Sequence, residues 1–357
     1  MPRVLHIIEL DTPRDCLEQL AMLAGPDDAI ASVGPPPQLP QLGPAGLKLP
    51  VRVVHAPMGS AALAGRRREM KELARAAEAI HAWSVPAAAA GEMAADAQAV
   101  LLTLPHVPAG GKLRAVLKGL SRRAVRVTVP TEAAARVLKS AGADEEVVHV
   151  VAPPAGLIDP SEAARRRSRV RQALNLSEKE QLISAPGEMT VGSGHKYASW
   201  VHAILRRIFP GVRLIMPGGG RQLANVERFV ASTGYAGEQH MTGEEFALAD
   251  VLAASDMAVF FHERDCGVTA VAAAMAAALA IATTPTADAV ECVGGDQAAV
   301  LVPARDPRAG STAATRFITD RDFAGRLGEA AKERARRLFD PQNCRTKIDL
   351  IYAKLRQ

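Results

Sequence analysis

Short apolar runs recur along the chain, separated by longer stretches in which apolar residues return every three or four places. The runs over 4–10, 51–55, 100–104, 125–129 and 147–151 predict strands. The stretches over 17–23, 65–79 and 131–140 predict helices, with Thr131 as cap and Gly142 as stop for the last. At 152–160 the pattern breaks into APPAGLIDP, whose prolines and glycine suit a linker. A strongly basic helix is expected over 161–174. Alternation then resumes, with strands over 181–185, 212–216, 237–241, 257–261, 280–284 and 299–302. Helices are expected over 197–208, 222–232, 248–254 and 268–279, and two closing helices over 321–338 and 347–355. Such βαβα repetition predicts an α/β protein with parallel sheets covered by helices on both faces. The Pro/Gly-rich segment 35–50 is expected to be an irregular surface loop, and no repeat of fixed period is present.

The linker divides the chain into an N-terminal domain over 1–154 and a C-terminal domain over 155–340, followed by a terminal helix in 341–357. A length of 357 residues suits two domains rather than one. Aromatic residues are only 4% against 48% hydrophobic, so the cores must be built from Ala, Val, Leu and Ile. A net charge of +5 is too modest to point to nucleic acid. None of the four cysteines forms a CxxC pair, which suits a reduced compartment. The N-terminus runs straight into a strand, and the longest apolar stretch, 270–282, is shorter than a membrane span. The expected location is cytoplasmic, with peripheral attachment to the inner face of the membrane as an addition discussed below.

The most informative stretch is DMAVFFHERDCGVTAVAAAMAAALAIATT, from Asp256 to Thr284. It resembles, without a gap, the nucleotide-sugar signature of family 4 glycosyltransferases (glycosyl transferases group 1), D-x-x-x-x-P-S-x-x-E-G-x-G-x-x-x-x-E-A-M-A-x-G-x-P-V-x-A-T. Asp256, Met275, Ala276, Leu279 and Thr284 are in register. Asp265 stands in place of the first glutamate and Ala273 in place of the second. The resemblance implies the GT-B fold: two Rossmann-like, doubly wound parallel-sheet domains facing each other across a cleft. It also implies that the terminal helix crosses back to the first domain.

The resemblance further implies a donor site at the strand carboxyl ends, where phosphates meet helix N-termini and basic side chains. SAPGEMTVGSGHKY resembles the family's strand followed by G-R-L-x-x-x-K-G. Gly187 and Gly194 match its glycines, whereas Glu188 replaces the arginine and Ser193 the lysine. Lys196 and His195 are the candidates to make up the lost charge. VRLIMPGGGRQ resembles the strand ending in G-x-G-P, which singles out Gly218, Gly219 and Arg221. Glu291 falls where the family places an acidic residue, and Asp265 is the candidate acceptor of sugar hydroxyl hydrogen bonds. The bland reading of Asp265 is a helix N-cap.

The N-terminal half is similar to the family through AIHAWS, with His81, and through VTVPTEAAARVL, with Glu132. LLTLPHVP makes His106 a candidate sugar contact near the reaction centre. The basic amphipathic segment 111–123 would allow contact with an anionic membrane surface, or simply pack its leucines inward.

The function so implied is that of a divergent retaining glycosyltransferase. It would move a sugar from a nucleotide-sugar donor to a glycan, lipid or small-molecule acceptor, with no metal and no cofactor beyond that donor. Catalysis would rest on positioning and charge stabilisation. The alternative is a catalytically silent GT-B relative that keeps the cleft as a binding or scaffolding module. Glu188, Ser193 and Ala273 set the two readings apart.

Overall fold

The structure, a computed structural model, describes residues 4–9, 12, 14–33, 51–54, 70–95, 98–108, 110–121, 125–243, 245–264 and 267–355. The loop expected over 35–50, the start of the helix expected over 65–79, and Asp265 lie outside these residues. The chain divides into two compact units: Met1–Pro154 together with Pro341–Gln357, and Ala155–Asp340.

The first unit is built on seven parallel strands: β1 (Val4–Glu9), β2 (Ala29–Val33), β3 (Val51–Val54), β4 (Ala79–Ala82), β5 (Val100–Thr103), β6 (Val125–Val129) and β7 (Val148–Val150). Their order across the sheet is β3-β2-β1-β4-β5-β6-β7. The direction of winding reverses between β1 and β4, the kind of position where doubly wound sheets bind ligands. β4 was not anticipated from periodicity, because Ala79–Ala82 follows an alanine-rich helical pattern. It becomes a strand by pairing with β1 on one side and β5 on the other. Ser84 then caps the helix Val85–Ala94, accepting from the Ala87 amide at 3.1 Å, with Pro86 in the first turn.

One face of this sheet packs on Leu5, Ile7, Ile80, Leu102 and Val127. The other packs Val4, Ile8, Leu101 and Trp83 against Leu17 and Leu20 of the helix Arg14–Leu23, and against Ile348, Ile351 and Tyr352 of the last helix, Pro341–Leu355. The last helix is therefore part of the first unit's core. In the helix Gly110–Ser121, Val116 and Leu120 are buried and Leu113 packs on the same core. Over the described part of the segment expected at 111–123, the apolar face is turned inward.

The second unit has six parallel strands: β8 (Gln181–Ser184), β9 (Val212–Pro217), β10 (Gln239–Gly243), β11 (Met257–Phe260), β12 (Ala280–Thr283) and β13 (Val300–Leu301). Their order is β10-β9-β8-β11-β12-β13, with the reversal between β8 and β11. The central strands β8, β9, β11 and β12 are mostly apolar and buried on both faces, whereas β10, QHMTG, and β13 at the two edges are partly buried.

The basic helix, Pro160–Ala173, spends its charge inside this unit. Arg171 is buried and donates to the carbonyls of Ser177 (2.5 Å), Glu180 (2.7 Å) and Ala254 (3.2 Å). Arg166 and Arg169 hold Asp250, and Arg167 meets Asp256 at 3.1 Å. Asp256, the first residue of the signature, precedes β11 and also accepts from the Leu182 amide at 2.8 Å. It ties the amino ends of β8 and β11 and stands at the edge of the sheet opposite the strands' carboxyl ends. No helix among the described residues is long and apolar enough to cross a membrane.

Candidate functional site

The carboxyl edge of the second sheet is where the sequence placed the donor, and its geometry follows from close backbone approaches. The loop after β8 carries Gly187 to Ser193 into the helix His195–Arg206. Gly194 has φ +82°, and a Cβ there would lie 2.2 Å from the Phe261 carbonyl oxygen. The helix start is thus pressed against the end of β11, a fit open to no other residue. The Glu263 amide donates to the Gly192 carbonyl at 2.8 Å and pins the same loop from the other side.

The glycine turn after β9 is laced to this loop as well. The Met189 amide donates to the Gly219 carbonyl at 2.7 Å, and the Gln222 amide to the Met189 carbonyl at 2.8 Å. A Cβ on Gly218 would lie 2.8 Å from the Gly187 carbonyl oxygen. The glycines at 218 and 194 therefore answer to packing between loops. Gly187 and Gly219 have open space where a Cβ would stand.

Between β8 and β11, at the reversal of the sheet, lies a shallow concavity lined by Pro186, Ser193, Gly194, His195, Phe261 and His262. Ser193 Oγ and His195 Nδ1 are 2.8 Å apart. Nδ1 of His262 has no hydrogen-bond partner, and Nε2 of His195 has none of good geometry although the Ala185 and Gly187 carbonyls lie beside its ring; the residues are only 8% and 4% exposed. Such orphaned buried groups cost stability and call for an explanation. Burial pushes the His195 pKa down to about 3, helped by the neighbouring His262, against the pull of the Ala185 and Gly187 carbonyls. Burial alone pushes His262 down to about 4. Both rings are neutral near pH 7. The ring of His262 stacks on Phe260 with centroids 6.3 Å apart, and its carbonyl accepts from Thr284 Oγ1 at 2.5 Å.

The remaining predicted residues fall into groups. Lys196 is exposed, but its ammonium lies 6.0 Å from the Phe229 ring centroid on a neighbouring helix and does not line the concavity. Arg221 and Glu188 are exposed on the two loops. Glu291 lies in the helix Ala287–Val293, outside the concavity, and its own carbonyl accepts from Arg334 at 2.8 Å. Glu263, beside His262, pairs with Arg305 at 2.5 Å and accepts from Tyr197 at 3.4 Å. The helix Val268–Ala276 starts from Gly267 with no side-chain cap, so no described side chain supplies the N-cap. Among the described residues, no cluster of His, Cys, Asp or Glu is arranged to hold a metal ion.

In the first unit, His106 follows β5 on an exposed segment, while His81 is fully buried. His81 Nδ1 bonds Tyr352 Oη at 2.6 Å and Nε2 bonds Thr103 Oγ1 at 2.7 Å, which makes it a core histidine. Sequence reasoning missed His262. Its signal was present, since Phe261 and His262 stand where the signature has proline and serine.

Residues 166–334 match the family model described as glycosyl transferases group 1, a span that lies within the second unit. Comparison with curated protein sequences finds no significant match. Among solved structures, the fold is similar to that of HepE from Anabaena in complex with UDP and glucose. That likeness has a TM-score of 0.80 at 15% identity and covers 99% of this chain and 100% of the other. Sucrose-phosphate synthase from Thermosynechococcus elongatus gives a TM-score of 0.74 at 17% identity, covering 99% of each chain. A glycosyltransferase from Rickettsia africae gives 0.73 at 14% identity, over 99% of this chain and 98% of the other. The second unit of this chain is similar to the group 1 glycosyl transferases over residues 166–334, and the chain as a whole has the GT-B fold.

Proposed function

We propose that this protein transfers a sugar from a nucleotide-sugar donor, with the donor's diphosphate at the carboxyl edge of the second sheet. The observation that carries this reading is the meeting, at the sheet reversal, of a helix N-terminus held by Gly194 and two buried histidines with unpartnered nitrogens. Helix N-termini favour phosphate through their free amides and dipole. The family match over the same residues and the UDP complexes of HepE support it. Retention of anomeric configuration, and a glycan, lipid or small-molecule acceptor, are carried by family likeness. Asp265 remains the proposed acceptor of donor-sugar hydroxyl bonds, and His106 the proposed sugar contact. No cofactor beyond the nucleotide sugar is proposed.

A second reading, a silent relative that only binds, is favoured by one observation. No lysine or arginine lines the concavity, and Glu188 occupies the loop where the family carries its arginine. A thermal-shift panel of UDP, GDP, ADP and their sugar conjugates tests both. A ligand at about 100 times its dissociation constant adds about 2.7 kcal/mol of stability. A response to one base, followed by turnover of its sugar conjugate, supports the transferase. Binding without transfer or hydrolysis supports the silent relative, and no response from a folded sample rejects the donor site.

A further inference from the structure

The donor site has lost the family's fixed cations, and the structure offers two neutral histidines where they would act. Ser193 stands at the signature lysine's position and holds the ring of His195 through Nδ1. His262 stands at the signature serine's position on the facing strand end. Their unpartnered nitrogens, His195 Nε2 and His262 Nδ1, belong to the same concavity. We propose that these two histidines recognise the donor's diphosphate and that the nucleotide sugar binds there with uptake of a proton from solvent. This inference rests on the nucleotide-sugar reading given above and goes beyond it, because a site built on lysine and arginine would bind without a proton.

The physical argument is one of charge balance. A diphosphate brought to a buried edge needs positive charge or several N–H donors. The charged groups on the surrounding elements are engaged or exposed elsewhere. Glu188 and Arg221 lie exposed on the loops after β8 and β9, and Lys196 leans on Phe229. Glu263, beside Tyr197, pairs with Arg305, while Arg264 and Arg308 are exposed. Asp265 and Cys266 lie outside the described residues. The helix Val268–Ala276 and the strand end at Thr284 bring no charge.

What holds the two rings neutral is burial, with their mutual repulsion as a smaller influence on His195. A bound phosphate reverses that balance, since an anion within a few ångströms favours the imidazolium. Once protonated, a ring donates from both nitrogens, so the orphan atom becomes an N–H aimed at the ligand. Because the two rings repel, the pair shares its first proton rather than each taking one. The concavity leaves no room for a water-sized body, so the proposed binding requires the side chains that line it to move.

The test is calorimetric titration of the full chain with UDP-glucose, GDP-mannose and ADP-glucose. It is run at about pH 6 in two buffers of different ionisation heat, so that the difference reads the protons taken up. These probes carry no terminal phosphate, whose second ionisation near pH 6 would otherwise mask the signal. The expected result is uptake approaching one proton with whichever probe binds. The affinity should weaken by up to about tenfold for each unit of rising pH while uptake is complete. His195→Gln and His262→Gln should each lower both the uptake and the pH slope. Where a variant fails to fold, ring signals of the wild-type protein by NMR serve instead. Those of His195 and His262 should together move toward the charged form by one proton's worth on binding while those of His81 stay fixed. Binding with no proton uptake overturns this inference and leaves the transferase reading standing. No binding of any probe between pH 5 and pH 8 overturns both.

Discussion

The two units wind their sheets in the same way, and each places a pair of histidines at the reversal, yet the two pairs are built differently. In the first unit His6 and His81 are cross-strand neighbours on β1 and β4. His6 Nε2 meets Asp28 at 3.3 Å and Nδ1 accepts from Trp83 Nε1 at 3.2 Å. His81 is closed by Tyr352 and Thr103, and Thr103 passes the chain to Thr128 at 2.6 Å. Every ring nitrogen there has a partner. In the second unit each of His195 and His262 keeps one nitrogen without one. A satisfied network specifies a core, whereas an unsatisfied buried polar group is a cost that a fold retains where a ligand repays it. Burial alone would not have told the two pairs apart, since all four rings are below a tenth exposed.

The largest expected effect is acid sensitivity. His195 and His262 have folded pKa values of about 3 and about 4, below the unfolded value of 6.5. Their neutral forms are favoured in the folded state, so their contribution is fully present above pH 6.5 and is lost as pH falls toward those values. Between pH 6.5 and pH 5 the loss is about 2 kcal/mol per histidine. Urea midpoints at pH 7 and pH 5 should show it, together with the like contribution of His202, which burial lowers to about 4, and His195→Gln should remove its own share of about 2 kcal/mol. An unchanged midpoint would mean the rings are not held neutral in the folded state.

Next comes Gly194→Ala, which meets the Phe261 backbone at positive φ and should cost about 3 kcal/mol, read as a lower denaturation midpoint of the second unit. Tyr352→Phe should cost about 1–2 kcal/mol by leaving His81 Nδ1 unsatisfied in the first unit, with nucleotide affinity unchanged. A loss of nucleotide affinity in Tyr352→Phe would tie the closed pair to the ligand and erase the contrast. The smallest effect belongs to Lys196→Ala. Because its ammonium lies toward Phe229, stability should change by less than about 0.5 kcal/mol and donor affinity by less than about threefold. A tenfold loss of affinity would return Lys196 to the site.

The second unit was legible because its central strands, β9, β11 and β12, are mainly apolar runs. The first was less so. β2, AIASV, mixes small and polar residues, and β4, AIHA, continues a helical alanine pattern. Both owe their state to neighbours in the sheet, which no local window contains. At the site, the loops and glycines could be read from motif spacing. The turning of Lys196 toward Phe229 and the meeting of His195 with His262 could not. The first depends on where a separate helix sets its aromatic ring. The second joins residues 67 positions apart through the pairing of β8 with β11. The basic helix Pro160–Ala173 was legible as a helix, but the destination of its charge was not, because its arginines answer Asp250 and Asp256, which lie more than 75 positions away.

The place of the helix Pro341–Leu355 in the first unit's core bears on the order in which the molecule is completed. During synthesis the chain begins the first unit, then makes the whole of the second, and only then supplies Cys344, Ile348, Ile351 and Tyr352. The second unit is contiguous and can close as soon as residue 340 has emerged. The first must wait with Leu17, Leu20 and Trp83 uncovered and with His81 lacking its tyrosine. The half of the protein that is made first is thus finished last. A stop anywhere after residue 340 but before residue 352 would spare the second unit and leave the first open to proteases.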